Sequence, residues 1–358
     1  MTQASVPSTG FGLDTAKFET WIAQHYPDLA PVSDFKRLTG GHSNISIAFH
    51  SNRGPMVLRR PPLGHVMQTA HDMSREYRVL QGLDHTPVPT PEPILHANDP
   101  ASGVDAEFFV MTMRPGFALT DAEADAKLTP ADRVALSHDL IEKLADLHAV
   151  DISHPQLAEL GRPAGFRERQ VSRWNRQLEA TKDRDLPATV ELGQRLTEVS
   201  PQSEQLMSVV HGDYKFNNTL VELRDEGPAE ITAILDWEMA TLGDPLTDLA
   251  VLGIYWNMPT LSPETRDHFE TPVRPEAGYP SFDELIDKYV QQSARHGITI
   301  PTQDLNWYFA LAAFKIAVIV ESLHYRYVQG LALDDESATA GQMTEPLARA
   351  GLAYLKEK

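Results

Sequence analysis

Two periods of apolar and polar residues run along the chain, and the switches between them outline its elements. From Leu13 to Tyr26, apolar residues at Leu13, Phe18, Trp21, Ile22 and Tyr26 recur at roughly helical spacing, and Pro27 stops the run. Phe35 to His50 alternates on both sides of Gly40-Gly41, which predicts a β-hairpin with a glycine-containing turn. Pro55-Met-Val-Leu-Arg59-Arg60 reads as a third strand. Tyr77, Leu80 and Leu83 share one face of a helix over Met73–Leu83, and Thr86 to Pro93 is a proline-rich extended connection. Phe108 to Met113 is an unbroken apolar run of buried-strand length. Past the acidic, loop-like stretch from Thr120 to Asp132, a stripe of Val134, Leu136, Leu140, Ile141, Leu144 and Leu147 marks a helix over Pro130–His148. His148 reads as a packed core histidine.

The stretch from Val209 to Ala250 carries the chemistry. Val209 and Val210 form a strand that stops at His211-Gly212 and presents Asp213 on a loop. Thr219, Leu220 and Val221 resume a strand just after Asn218, and Ile231 to Leu235 ends at Asp236. The expectation is a small sheet that carries Asp213, Asn218 and Asp236 to one rim. Turn-forming and capping roles account for either aspartate alone; the three together fit phosphoryl transfer. That reaction needs a carboxylate to orient a hydroxyl and accept its proton, and a few oxygen ligands for a hard divalent cation. Asp213 suits the first role, Asn218 and Asp236 the second.

Composition narrows the class. The 358 residues suffice for one large or two moderate domains with a real core. With no cysteine, disulfides, thiolate metal sites and a cysteine nucleophile are excluded, and a reducing cytosol is the natural expectation. Met1 to Gly12 lacks the basic and apolar segments of a secretory signal, and the run Phe309–Val320 is interrupted by Lys315 and is short for a bilayer. A cytoplasmic protein with no membrane partner is therefore expected. A formal net charge of −19 argues against a nucleic-acid partner.

The pairing of His211-Gly-Asp213, Asn218 and Asp236-Trp-Glu238 resembles the catalytic loop and metal-binding aspartate of protein kinases, with Gly where they carry Arg and Trp-Glu where they carry Phe-Gly. That variant is the mark of the aminoglycoside phosphotransferase-like kinases, related to choline and fructosamine kinases. Arg-Pro-Pro at 60–62, Glu-Arg-Gln-Val at 168–171 and Tyr-Arg-Tyr-Val-Gln-Gly at 325–330 resemble the branch fused to some acyl-CoA dehydrogenases. The resemblance implies a two-lobed, protein-kinase-like α+β fold with ATP and Mg2+ as cofactors. It implies a tail and leading helix over 1–30, a β-rich nucleotide-binding lobe over 31–113, and a mainly helical catalytic lobe over 114–358. Gly40, Gly41 and Ser43 of the hairpin turn would lie over the nucleotide. Arg59 stands where kinases place a phosphate-binding lysine, and arginine is not a neutral replacement; the alternative is that Arg59 and Arg60 are solvated strand-end charges. Glu76 would pair with Arg59. Met111 and Met113 would lie at the hinge that runs into Arg114-Pro-Gly116. Asp248, in Gly243-Asp244-Pro245-Leu-Thr-Asp248, would brace the catalytic loop, with helix capping the other explanation of Asp244.

The acceptor is a small molecule, and its class is less legible. Residues 161–185 hold seven Arg or Lys against four Asp or Glu in an otherwise acidic chain. Arg169, Arg173 and Arg176 share one side of a helix there, either as a solvated face or as an anion-binding face. Glu238 and Tyr325 are further candidates for the acceptor pocket, which the resemblance assigns to C-terminal helices. A hydroxyacyl-CoA is the expected acceptor; a hydroxylated antibiotic such as an aminoglycoside, or a silent nucleotide-binding module, are the rivals.

Overall fold

The computed structural model describes residues 12–38, 44–62, 72–162, 164–332 and 335–356. Gly40, Gly41 and Ser43 lie outside the described residues. Five strands, β1 (Ser33–Arg37), β2 (Ile45–Ser51), β3 (Gly54–Arg60), β4 (Pro93–Ala97) and β5 (Phe108–Thr112), form an antiparallel sheet in the order β1-β2-β3-β5-β4. The period of two in a strand sorts its side chains by face. Met56 and Leu58 of β3, and Phe108 and Val110 of β5, join one core with Leu13 and with Phe18, Trp21 and Ile22 of helix α1 (Thr15–His25). Val57, Phe109 and Met111 face the other way, into a second core with Val79, Leu80 and Leu83 of helix α2 (Met73–Leu83). The run Phe108–Met111 is unbroken because both of its faces are covered. Arg59 has the parity of Val57 and pairs across the ladder with Phe109, so it points to the α2 side, into the cleft.

That inner core continues without a break into the larger, mainly helical part, through the Pro130–His148, Leu246–Leu261 and Leu305–Val328 helices. The architecture is the expected α+β, protein-kinase-like one. The leading helix is part of the small lobe's outer core, with Phe18 fully buried against Phe35, Phe49 and Phe108 in edge-on contacts at 5.6–6.0 Å. The acidic stretch from Thr120 to Asp132 is not all loop: Asp121 caps a single helical turn, Ala122–Asp125. Asp125 is buried there on Arg133 at 2.7 Å and on the Tyr279 hydroxyl at 2.7 Å. His148 is buried, as expected of a core histidine, with Nδ1 2.6 Å from the Tyr289 hydroxyl.

The catalytic stretch departs from expectation in one respect. Instead of one small sheet there are two. Strand β7 (Ser208–Val210), which leads to Asp213, pairs with β10 (Thr241–Gly243), whereas β8 (Thr219–Glu222) pairs with β9 (Glu230–Ile234) and with β6 (Phe117–Ala118). The long-range partners of β7 and β8 are invisible in local periodicity. The span Thr302–Val328 is long and apolar enough to cross a membrane by length and composition, and 78% of its most apolar window is buried inside the protein, as in a core helix.

Phe18 joins the N-terminal segment to the sheet. Phe18→Ala is expected to cost about 3–5 kcal/mol of unfolding free energy, read as a lowered midpoint in denaturant titration.

Candidate active site

Gly212 is where the catalytic loop turns. Its φ is +89°, and a Cβ would lie 2.8 Å from both the Cβ and the carbonyl oxygen of Met239, so only glycine fits. The N–H groups of His211 and Gly212 donate to the two oxygens of buried Asp248, at 2.6 and 2.8 Å. His211 ties the loop to the next one: its Nδ1 accepts from the Asp213 N–H at 3.2 Å, so Nε2 carries the proton given to the Leu235 carbonyl at 2.9 Å. The Leu235 N–H donates to the Asn218 carbonyl at 2.8 Å. Asp213, Asn218 and Asp236 are thereby fixed to one another through the His211 ring and backbone hydrogen bonds, although their strands belong to different sheets.

Asp213 is held on both oxygens. Oδ1 accepts from the Tyr255 hydroxyl at 3.0 Å, and Oδ2 meets Lys215 Nζ at 2.9 Å and Asn218 Nδ2 at 3.1 Å. Burial alone would raise its pKa, but the positive charges of Lys215 and Lys315 outweigh burial and lower it to about 2. Tyr255 moves in the opposite sense: burial first, then the Asp213 charge, keeps its hydroxyl protonated well above the ordinary range. Because the Asn218 amide nitrogen faces Asp213, its side-chain oxygen is left for a cation. Asp236 has φ +67°, a left-handed conformation that turns its carboxylate off the end of β9 into the cleft.

The cation at the end of β3 is shared. Arg59 Nε donates to Glu76 Oε2 at 3.0 Å, and Nη2 to Asp236 Oδ1 at 2.6 Å. Glu76 is 2% exposed, and burial pushes its pKa up against the pull of Arg59. The arginine itself stays charged, because Glu76, Asp236 and Glu238 together outweigh the cost of burying it. Arg59 is therefore no solvated strand end. Met111 lies on the inner face of the sheet and is 9% exposed, while Met113 is 41% exposed just past β5, its N–H bonded to the Pro55 carbonyl at 3.0 Å.

The model of the phosphotransferase enzyme family matches residues 34–285 of this sequence. The chain belongs to that family. Acyl-CoA dehydrogenase family member 11 of Gallus gallus is 34% identical over 351 residues, covering 96% of this chain and 44% of the relative. Its Homo sapiens counterpart is 30% identical over 347 residues, covering 96% and 43%. The chain thus spans less than half the length of these relatives. Among solved structures, a Ralstonia eutropha protein assigned to the aminoglycoside phosphotransferases superposes with a TM-score of 0.80 at 29% identity, covering 96% of this chain and 99% of that one. Aminoglycoside phosphotransferase APH(4)-Ia, in ternary complex with AMP-PNP and hygromycin B, gives a TM-score of 0.59 at 18% identity, covering 93% and 98%, and shows the fold alone.

In this family member a cavity of about 630 Å³ adjoins the candidate catalytic loop, between Gly212, Glu238 and the facing sides of the Phe166–Thr181 and Leu305–Val328 helices. Of the three arginines expected to form one face, only Arg173 lines it, its guanidinium 5.0 Å from the Trp174 ring. Arg169 donates to the carbonyls of Arg162 and Ala164, and Arg176 to the Ser172 hydroxyl. Much of the local positive charge is also neutralised, by Arg167 on Asp244 and Arg184 on Glu321. Glu238 lines the cavity and accepts from Asn44 Nδ2 at 3.2 Å. Tyr325 sits half-buried ten residues past Lys315, about 15 Å along the same helix, and does not line it.

Three functional candidates escaped the sequence reading: Lys215, Tyr255 and Lys315. Lys215 stands two residues after Asp213, so its charge beside the carboxylate had a local signal. Tyr255 had none, because only the packing of its helix brings its hydroxyl to the loop.

Replacing Lys215 by Met removes a charge that favours the ionised form of Asp213. The Asp213 pKa is expected to rise from about 2 toward or past the ordinary 3.8, read from the pH titration of its carboxyl carbon by NMR. A depressed carboxylate pKa contributes stability above pH 3.8 that is lost as the pH falls through about 2, so the variant should have less of this stability at neutral pH and a shallower loss between about pH 4 and 2.

Proposed function

We propose that the protein transfers the γ-phosphoryl group of ATP to the hydroxyl of a hydroxyacyl-CoA. The observation that carries the transfer is the Asp213–Asn218 contact at 3.1 Å, with Asp236 tied alongside and the cavity adjoining the same loop. Asn218 and Asp236 fit a magnesium ion that takes its remaining ligands from phosphates and water. Such an ion would supply charge neutralisation on the phosphate oxygens. Arg59, fixed by Glu76, offers a guanidinium to the same phosphates. The acceptor oxygen attacks γ-phosphorus, the bond to the ADP oxygen breaks, and the hydroxyl proton passes to Asp213. A carboxylate with a pKa near 2 is too weak a base to take that proton early. Asp213 therefore acts first by orienting the hydroxyl, and receives the proton late, as the new P–O bond acidifies it.

The acyl-CoA part of the proposal rests on the relatives named acyl-CoA dehydrogenase and on Arg173 at the cavity, where a polyanionic acceptor would find positive charge. An aminoglycoside is a polycation, and Glu238 is the wall residue that favours it. Incubation with ATP, magnesium and either a 4-hydroxyacyl-CoA or a kanamycin-type acceptor, followed by product mass, decides between them. Phosphorylation of the thioester is expected; an inert thioester beside a phosphorylated aminoglycoside overturns it.

Two substitutions test the machinery. Asp213→Asn should lower turnover by roughly 10²- to 10⁴-fold with little change in nucleotide affinity. Asp236→Ala should abolish the enhancement of ATP binding by magnesium, measured by calorimetry with and without the metal; an equal enhancement in the variant rules Asp236 out as a ligand.

A further inference from the structure

We propose that Lys315 is the acceptor-recognition residue of this site: its buried ammonium group receives the acyl oxygen of a hydroxy-acyl acceptor whose hydroxyl lies against Asp213. The inference rests on the phosphotransferase reading and adds to it the group that selects the acceptor.

Lys315 projects from the middle of an apolar helix and is 8% exposed, yet it lines the cavity. Its one hydrogen bond goes to the Gly212 carbonyl, and its Nζ lies 5.9 Å from the centre of the Trp174 ring. Among the described residues no carboxylate pairs with it. An ammonium group has three donors, so two remain open on a buried charge. A buried cation of this kind is costly unless something on the other side of the cavity completes it. Burial also lowers its pKa, against the pull of Asp213 and Asp248.

Of the other charged groups of the wall, Arg173 lies over the Trp174 ring and Glu238 accepts from Asn44, and the remaining three are spent within the protein. Asp72 caps α2 through the Arg75 N–H, Arg75 donates to the Leu160 and Ala240 carbonyls, and Asp248 holds the catalytic loop. Lys315 is thus a buried charge left with open valence toward the cavity. It is anchored on Gly212, the residue before Asp213, and its charge acts on the Asp213 carboxylate; an acceptor that reached Asp213 with its hydroxyl from this cavity would carry its acyl oxygen only a few bonds away. A carboxylate or thioester carbonyl near a hydroxyl meets that requirement. A polycationic acceptor does not, because one of its ammonium groups would have to lie against the Lys315 charge.

Equilibrium titration by calorimetry of the 358-residue chain tests the proposal without turnover. The probes are 4-hydroxybutyrate, 4-hydroxybutyryl-CoA and the carbonyl-free 1,4-butanediol. The wild-type protein should bind at least one acyl probe at least tenfold more tightly than the diol, and which one binds tells whether the oxygen is a free carboxylate or a thioester. Lys315→Met should erase that preference while leaving ATP affinity within about twofold, and Lys315→Arg should restore part of it. Equal binding of acyl probe and diol by the wild type, or no binding of either acyl probe, overturns the proposal even if the Met variant does not fold. So does a Met variant that keeps wild-type acyl affinity and loses only turnover, which would make Lys315 a brace for Gly212. Lysine-dependent binding without phosphoryl transfer would leave this inference standing and defeat the proposed reaction.

Discussion

The site depends on one buried carboxylate. Asp248 offers its two oxygens to the adjacent N–H groups of His211 and Gly212, and in doing so fixes the backbone from which Asp213 projects. A carboxylate that accepts backbone N–H bonds is favoured in its charged form even when fully buried, and these bonds are among the stronger ones a protein makes. From that anchor the order spreads by hydrogen bonds: His211 to Leu235, Leu235 to Asn218, and Asn218 back to Asp213. Two sheets that share no strand are thereby held as one catalytic rim.

Arg59 performs the corresponding task across the cleft. A lysine could present one compact charge, whereas the guanidinium reaches Glu76 with one edge and Asp236 with another. The third strand, the small-lobe helix and the loop after β9 are joined by a single side chain. The arrangement also places a cation on the carboxylate proposed to bind magnesium and offsets part of the negative charge of Glu76, Asp236 and Glu238.

Asp213, Lys215 and Tyr255 show how a carboxylate is kept ionised in a largely buried place. Burial pulls toward protonation, and nearby ammonium groups reverse it. The outcome is a weakly basic carboxylate, which would suit the proposed transfer, in which the transferred group is largely detached before the proton moves.

Much of this was legible in the sequence because it is local. Strand and helix periods located β3, α2 and the Pro130–His148 helix, and the spacing of Asp213, Asn218 and Asp236 named the oxygens that converge. Gly212 belongs with them, since a glycine in a tight turn is a one-residue signal. Beyond the hairpins, tertiary structure alone decided which strands pair, β7 with β10 and β6 with β8, and so split the expected sheet in two. It also decided which charges are spent and which are open: Arg167 and Arg184 disappear into ion pairs, Arg173 alone of its trio reaches the cavity, and Lys315 is buried beside the catalytic loop. The physical reason is range. Periodicity and turn chemistry act over a few residues, whereas the state of a charge depends on whatever the fold brings within a few ångströms of it.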